Sequence, residues 1–279
     1  MAAAAVVVSV AAAVVVGNTA SSSAATPSLR AFGISADGTL MATFTTDRPQ
    51  VFDWFRLITG FVGDTSAIGL DFRVQDGLMY LVGNKGGIYT VKTPPAVPDV
   101  VVTKVSQLQV PLYGTNFGVD FNPAADRLRV ISDNGQNLRH NLNDHTTIED
   151  AVLTTPPTQS PTKGVTAAAY TNNDLNPDTA TTLFDIGTIT DQVLIQSPAN
   201  NGTLAATGSL TVDAGTNAGF DIFSVLTNGK TTSVLGFATL VAPNGTASLY
   251  SVNLLSGDVS AIGQFPLPFT DLAISLTGS

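Results

Sequence analysis

The sequence predicts an all-β fold, a five-bladed β-propeller of four-stranded antiparallel blades, and three observations lead to it. A short segment recurs as GLDF at 69–72, GVDF at 118–121 and GFDI at 219–222, with VTAAAY from Val165 and TDLAIS from Thr270 at matching places, about 50 residues apart. A period of that size, filled with short apolar runs, is the signature of propeller blades. Turn residues that tolerate positive φ punctuate each unit: Asp76-Gly77, Asn134-Gly135, Asn228-Gly229 and Asn244-Gly245. Composition points the same way, because Glu149 is the single glutamate against 20 aspartates and the chain carries 25 glycines and 15 prolines. Aspartate, glycine and proline favour turns and disfavour helix interiors, so long helices are not expected.

Taken in order, residues 1–25 read as a signal peptide. Ala2 to Val16 is an unbroken run of small and apolar residues, shorter than the roughly 20 a membrane span needs, and Ser23-Ala24-Ala25 suits cleavage after Ala25. No Lys or Arg precedes the run, which leaves an uncleaved anchor as the alternative. Residues 26–279 then form a single propeller domain, with no membrane span expected in the mature chain and a secreted or extracytoplasmic location. Three strands follow at 29–34, 40–45 and 52–59. The second unit gives 69–73, 78–82, 87–92 and 100–109, and the third 118–122, 128–132, 137–141 and 146–153. The fourth gives 165–171, 181–187, 191–196 and 203–210, and the fifth 219–225, 232–241, 247–254 and 259–265. A lone strand at 271–276 remains. If it becomes the innermost strand of the N-terminal blade, the ring closes with no dangling edge.

Several function classes are disfavoured. Acidic residues outnumber basic ones 21 to 12 and the pI is near 4.4, which repels nucleic acid and anionic lipid alike. There is no cysteine, hence no disulfide, thiolate metal site or cysteine nucleophile. His140 and His145 are the only histidines, too few for a three-histidine metal site, and no Gly-x-Ser-x-Gly occurs.

The candidate site lies where the repeat carries charge. Asp71, Asp120 and Asp221 fall at matching positions of three innermost strands, with Ala169 and Ala273 in the other two. Repeat alignment puts Arg129 where the preceding blade has Met79, and Arg139 where it has Tyr89, so Arg129 is expected to be buried between blades with Asp71 and Asp120 as its partners. Arg127 and Asp126 read as a solvated turn pair. The leading reading is a non-catalytic recognition domain that binds an extracellular or envelope ligand, a glycan or a protein, through Asp71, Asp120, Asn137, Arg139 and Asp221. The alternative is a polysaccharide hydrolase or lyase with Asp71, Asp120 and Asp221 as its acids. The plainest alternative is that these aspartates only accept backbone hydrogen bonds. No cofactor is expected except calcium, for which those three carboxylates and the oxygen-rich loop TNNDLNPDT at 171–179 are candidates, the loop reading first as an Asx-rich turn. Trp54 is assigned to packing at a blade edge.

Several ordered segments carry a resemblance: AIGLDFR, GVDFNPAADRLRVISDNGQNLRHN, AYTNN followed by TTLFDI, SPANNGTL, and GFDI. They resemble a family of exported bacterial proteins known as domain of unknown function 4394, from about Leu29 to Leu276. Val74 and Ala199 depart from the family pattern in loops. The resemblance implies a secreted bacterial protein with one propeller-like domain, and it implies no reaction.

Overall fold

A computed structural model describes residues 25–279, so the signal-peptide reading of residues 1–25 lies, except for Ala25, outside the described residues. Among the described residues the fold is all-β apart from one short 3-10 turn, Ala199–Asn201. Among the described residues no helix is long and apolar enough to cross a membrane.

Chain order and sheet order agree closely. Strands β4 (Ala67–Phe72), β5 (Met79–Gly83), β6 (Gly87–Lys92) and β7 (Val100–Gln107) pair as successive antiparallel neighbours. The same holds for β8 (Phe117–Asn122), β9 (Arg127–Ser132), β10 (Asn137–Asn141) and β11 (Thr146–Glu149). It holds again for β12 (Val165–Tyr170), β13 (Leu183–Gly187), β14 (Gln192–Gln196) and β15 (Leu204–Ser209), and for β16 (Ala218–Thr227), β17 (Lys230–Val241), β18 (Ala247–Val252) and β19 (Val259–Gln264). The chain's two ends meet: β20 (Phe269–Ile274) runs antiparallel to β1 (Arg30–Ser35), which pairs with β2 (Leu40–Thr45), which pairs with β3 (Trp54–Thr59). One feature is not anticipated by the repeat. Ile58 and Thr59 pair in parallel with Val100 and Val101, which joins this group to the next as one eight-stranded sheet.

The inner strands are buried on both faces, so β5, β12 and β13 are buried along their whole length, whereas the outermost β3, β11, β15 and β19 are largely exposed. Five apolar clusters lie between successive four-stranded groups. One packs Leu70, Leu81 and Tyr89 on Phe32 and Met41, and another packs Phe44 and Phe269 on Phe237 and Leu249. The innermost strands touch in the cyclic order β20, β4, β8, β12, β16 and back to β20. Their close approach explains the recurring glycine. A Cβ on Gly118 would sit 2.5 Å from the Ala168 nitrogen, and one on Gly219 would sit 2.3 Å from the Asp271 Cα. Neither backbone can yield that much, so Gly118 and Gly219 admit no side chain.

Strand ends differ from expectation where the chain crosses between sheets. The strand expected at 146–153 stops at Glu149. Beyond it Ala151 donates its N–H to the Asn200 carbonyl and Thr154 bridges to Thr203, so the backbone is committed to the next sheet. The hairpin of β16 and β17 extends further than expected, to the pair Thr227 and Lys230.

Candidate functional site

Asp71, Asp120 and Asp221 project from β4, β8 and β16 to a common point, with one carboxylate oxygen of each within 4.8 Å of the others. Each also accepts a backbone N–H from a neighbouring innermost strand: Asp71 from Phe121 at 2.7 Å, Asp120 from Tyr170 at 3.1 Å and Asp221 from Ile274. A fourth carboxylate joins them. Asp271 of β20 takes the Leu70 N–H at 3.0 Å. Its register partner in β1 is Ile34, so it stands where Gly69 and Gly219 stand in their strands, two residues before Ala273 and on the same face. Only β12 lacks such an acid, and there the Asn172 N–H turns to Ser224 Oγ at 3.1 Å instead. The Gly-x-Asp pattern therefore has a mechanical cause, since glycine lets adjacent strands close up and aspartate ties one to the next.

Electrostatics in this cluster favour the neutral acid. The four residues are 4–8% exposed, and burial followed by repulsion from the other carboxylates drives Asp71 and Asp120 well above the usual range. Burial raises Asp271 as well and pushes Asp221 up to about 6, against the backbone amides that favour the charged form. Chemically, the group can share protons or gather round a cation. Oxygens up to 4.8 Å apart lie within reach of one calcium ion, whose ligands sit at roughly 2.3–2.6 Å.

Arg129 and Arg139 are not part of this cluster, which corrects the expected pairing with Asp71 and Asp120. Asp120, Arg129 and Arg139 stand in one cross-strand row, yet the guanidinium of Arg129 reaches away from Asp120. It donates to Asp150 at 2.8 Å, Asn137 at 2.7 Å, Asn200 at 2.8 Å and the Tyr170 hydroxyl at 3.2 Å. The burial expected from its alignment with Met79 is met, with 2% of the residue exposed. Arg139 grips both oxygens of Asp150, at 2.6 and 2.9 Å. Asn137 is fully buried, accepting from Arg129 and Gln196 and donating to the Ala151 and Ala199 carbonyls. The structure thus brings three of the five expected site residues together and places Asn137 and Arg139 in a separate inter-sheet network.

Asp126 pairs with Arg73 across the sheet boundary rather than with Arg127, whose guanidinium donates to the Ala125 and Asp126 carbonyls. In the loop 171–179, Asn172, Asp174 and Asn176 each accept the amide two residues on, and the second oxygen of Asp174 takes the Thr231 N–H and hydroxyl. Trp54 is half-buried against Phe32, with ring centroids 6.1 Å apart.

Just before the carboxylates, at the starts of the innermost strands, opens a polar cavity of about 420 Å³. Asp37, Asn84, Thr115, Asn116 and Asn217 supply its polar groups, beside Ile68 and Thr270. Sequence reading did not single these residues out, because they belong to different connecting loops with no shared spacing. Asp271 had a signal, an acid two residues before Ala273 on the same strand face. Asp150 had none, since only the turn of the chain after Glu149 brings it to the arginines.

Likeness to solved structures is confined to architecture. A structural genomics protein of unknown function from Bacteroides thetaiotaomicron aligns at 14% identity and a TM-score of 0.51, over 89% of this chain and 67% of its own. A chain of a nidogen/laminin complex aligns at 12% identity and a TM-score of 0.49, over 90% and 99%. At such identity the first likeness bears on the fold alone. No curated protein sequence matches the chain. A family model described as Domain of unknown function (DUF4394) matches residues 40–273, nearly the whole of the described domain and in line with the resemblance read from the motifs. The chain is a member of that family.

Proposed function

We propose that the chain is an exported, five-bladed propeller that binds an extracellular or envelope ligand, a glycan or a protein, at one mouth of its central channel without chemical turnover. The cyclic contact order of the innermost strands supports the blade count, and the apolar N-terminal run supports export. The observation that carries the binding reading is the polar cavity of about 420 Å³ at the starts of those strands. Amides and hydroxyls with both donors and acceptors suit hydroxyl-rich ligands, and the side chain of Asn217 makes no hydrogen bond of its own among the described residues. Beyond the cavity, Asp71, Asp120 and Asp221 gather as buried acids in which burial favours the neutral form, whereas Asn137 and Arg139 act as scaffold.

A hydrolase or lyase acting on a polysaccharide is the second reading, and the elevated Asp221, at about 6, favours it because a general acid must hold its proton near neutral pH. Against it, the carboxylate oxygens within 4.8 Å are tighter than the roughly 5–10 Å that acid and nucleophile or base require. Each carboxylate is also tied to a neighbouring amide. A panel of soluble glycans and envelope polysaccharides separates the readings. Binding that weakens in Asn217→Ala and Asn84→Ala, with no product formed, supports recognition. Turnover that disappears in a folded Asp120→Asn variant would replace recognition with catalysis.

A further inference from the structure

The chain's two histidines, used by neither the channel nor the arginine network, meet at one hydroxyl on the outer part of the molecule. Ser106 Oγ of β7 lies 2.8 Å from His140 Nε2 and 2.9 Å from His145 Nδ1. His140 belongs to β10 and His145 to the turn before β11, so the group spans two sheets. His140 has no solvent exposure, whereas His145 is exposed and lines an open cavity of about 590 Å³ with Ser106, Gln107 and Gln109. Lys104, the cation among the lining residues, holds its ammonium on the Val62 carbonyl at 3.0 Å.

The turn holds this geometry at a cost. His145 has φ of 61°, a left-handed conformation that residues with a side chain seldom adopt and that Asp126, Asp191 and Asn228 share at other turns. Other turns of the molecule put Gly77, Gly229 and Gly257 at such angles. Hydrogen-bond accounting adds a second constraint. The Ser106 hydroxyl has one proton and can donate to only one of the two ring nitrogens facing it. Thr147 Oγ1 accepts the Gln109 N–H and stands 2.9 Å from His140 Nδ1. We assign its remaining lone pair to the Nδ1–H, which turns the Nε2 lone pair towards Ser106. An imidazole anchored through one nitrogen, with the other turned to a hydroxyl that a second imidazole shares at the edge of an open cavity, has the arrangement of a metal-binding histidine.

We propose that His140 Nε2 and His145 Nδ1 form a two-imidazole site for a late first-row divalent cation, Cu²⁺ ahead of Ni²⁺ and Zn²⁺, with Ser106 Oγ and water from the cavity completing the shell. The preference follows from imidazole donors and the usual order of divalent affinities. Where His145 carries its proton on Nδ1, binding moves it to the ring's other nitrogen, and none need leave the protein. The site is independent of the channel.

Titration of the full chain with Cu²⁺ near pH 7, followed by electron paramagnetic resonance, tests it. The expected result is a single equivalent bound with nitrogen hyperfine structure from two imidazoles. His145→Ala, at an exposed position, should keep the circular dichroism of the parent, lose one imidazole from the spectrum and weaken binding by at least about tenfold. No binding by the parent, an oxygen-only spectrum that puts the ion on the channel carboxylates, or equal affinity in His145→Ala would each overturn the proposal.

Discussion

Asp120 and Arg129 are direct cross-strand neighbours, yet they belong to two buried clusters with opposite electrostatic logic. Where the innermost strands meet, acids face acids and their donors among the described residues are backbone amides, so the neutral form is favoured and burial dominates. Between the β8–β11 and β12–β15 sheets, one guanidinium is matched by Asp150, Asn137, Asn200 and Tyr170. That network is stable only while it is charged and complete. Burial alone therefore says little about a polar group, because what surrounds it decides whether it must be neutral or ionised.

The comparison can be broken first on the channel side. Deleting residues 270–279 removes Asp271 and the Ile274 amide that Asp221 uses, and strips the buried Leu272 and Ile274 from the core. Burial of each such side chain is worth roughly 1.5–3 kcal/mol. The expected outcome is loss of cooperative unfolding by heat or urea, and an unchanged melt would mean that β20 does not hold the ring together.

Next comes the arginine network. Arg129→Met supplies the residue that the preceding repeat has at Met79 but leaves Asn200 without its donor, Asn137 with Gln196 alone and Asp150 with Arg139 alone. Removing one partner of a buried ion pair typically costs about 3–5 kcal/mol, and urea denaturation should read a loss of that size. A loss below about 1 kcal/mol would place this pair in the class of exposed ones.

A pH profile then sharpens the contrast. The channel acids have folded values above their unfolded ones, so the folded state binds more protons, and stability falls as pH rises from about 4 through the folded values. For Asp221, raised from 3.8 to about 6, the loss is on the order of 3 kcal/mol. Asp126, lowered by Arg73, and Asp37, lowered by the Ser35 hydroxyl, act in the opposite sense and lose their contribution as pH falls below about 4. Thermal melts should show maximal stability between about pH 4 and 6. Asp221→Asn, which keeps an acceptor for the Ile274 amide, should flatten the alkaline side. A maximum at pH 8 in the parent would contradict the neutral-acid account.

The smallest effect belongs at the surface. Arg30 and Asp53 pair at 3.1 Å with 41% and 49% of their side chains exposed, and Arg30→Ala should cost less than about 1 kcal/mol, screened further by salt.

Several features were legible because they are periodic. The Gly-x-Asp repeat, the turn pairs and the lone last strand are local patterns whose spacing survives folding, and they located β4, β8, β16 and β20. The alignment of Arg129 with Met79 correctly marked a buried position. The partners of that arginine were not legible, since Asp150 and Asn200 arrive through loops outside the repeat.

The sequence by itself determined an all-β chain built on a repeating unit, the family and the convergence of Asp71, Asp120 and Asp221, because equivalent positions in a cyclic repeat must point to the same axis. Tertiary structure alone decided that Asp271 joins them, that Arg129 turns away from Asp120, and that Ser106 meets His140 and His145. Those outcomes depend on which strand lies beside which and on how the connecting loops return. Distance along the chain does not encode either.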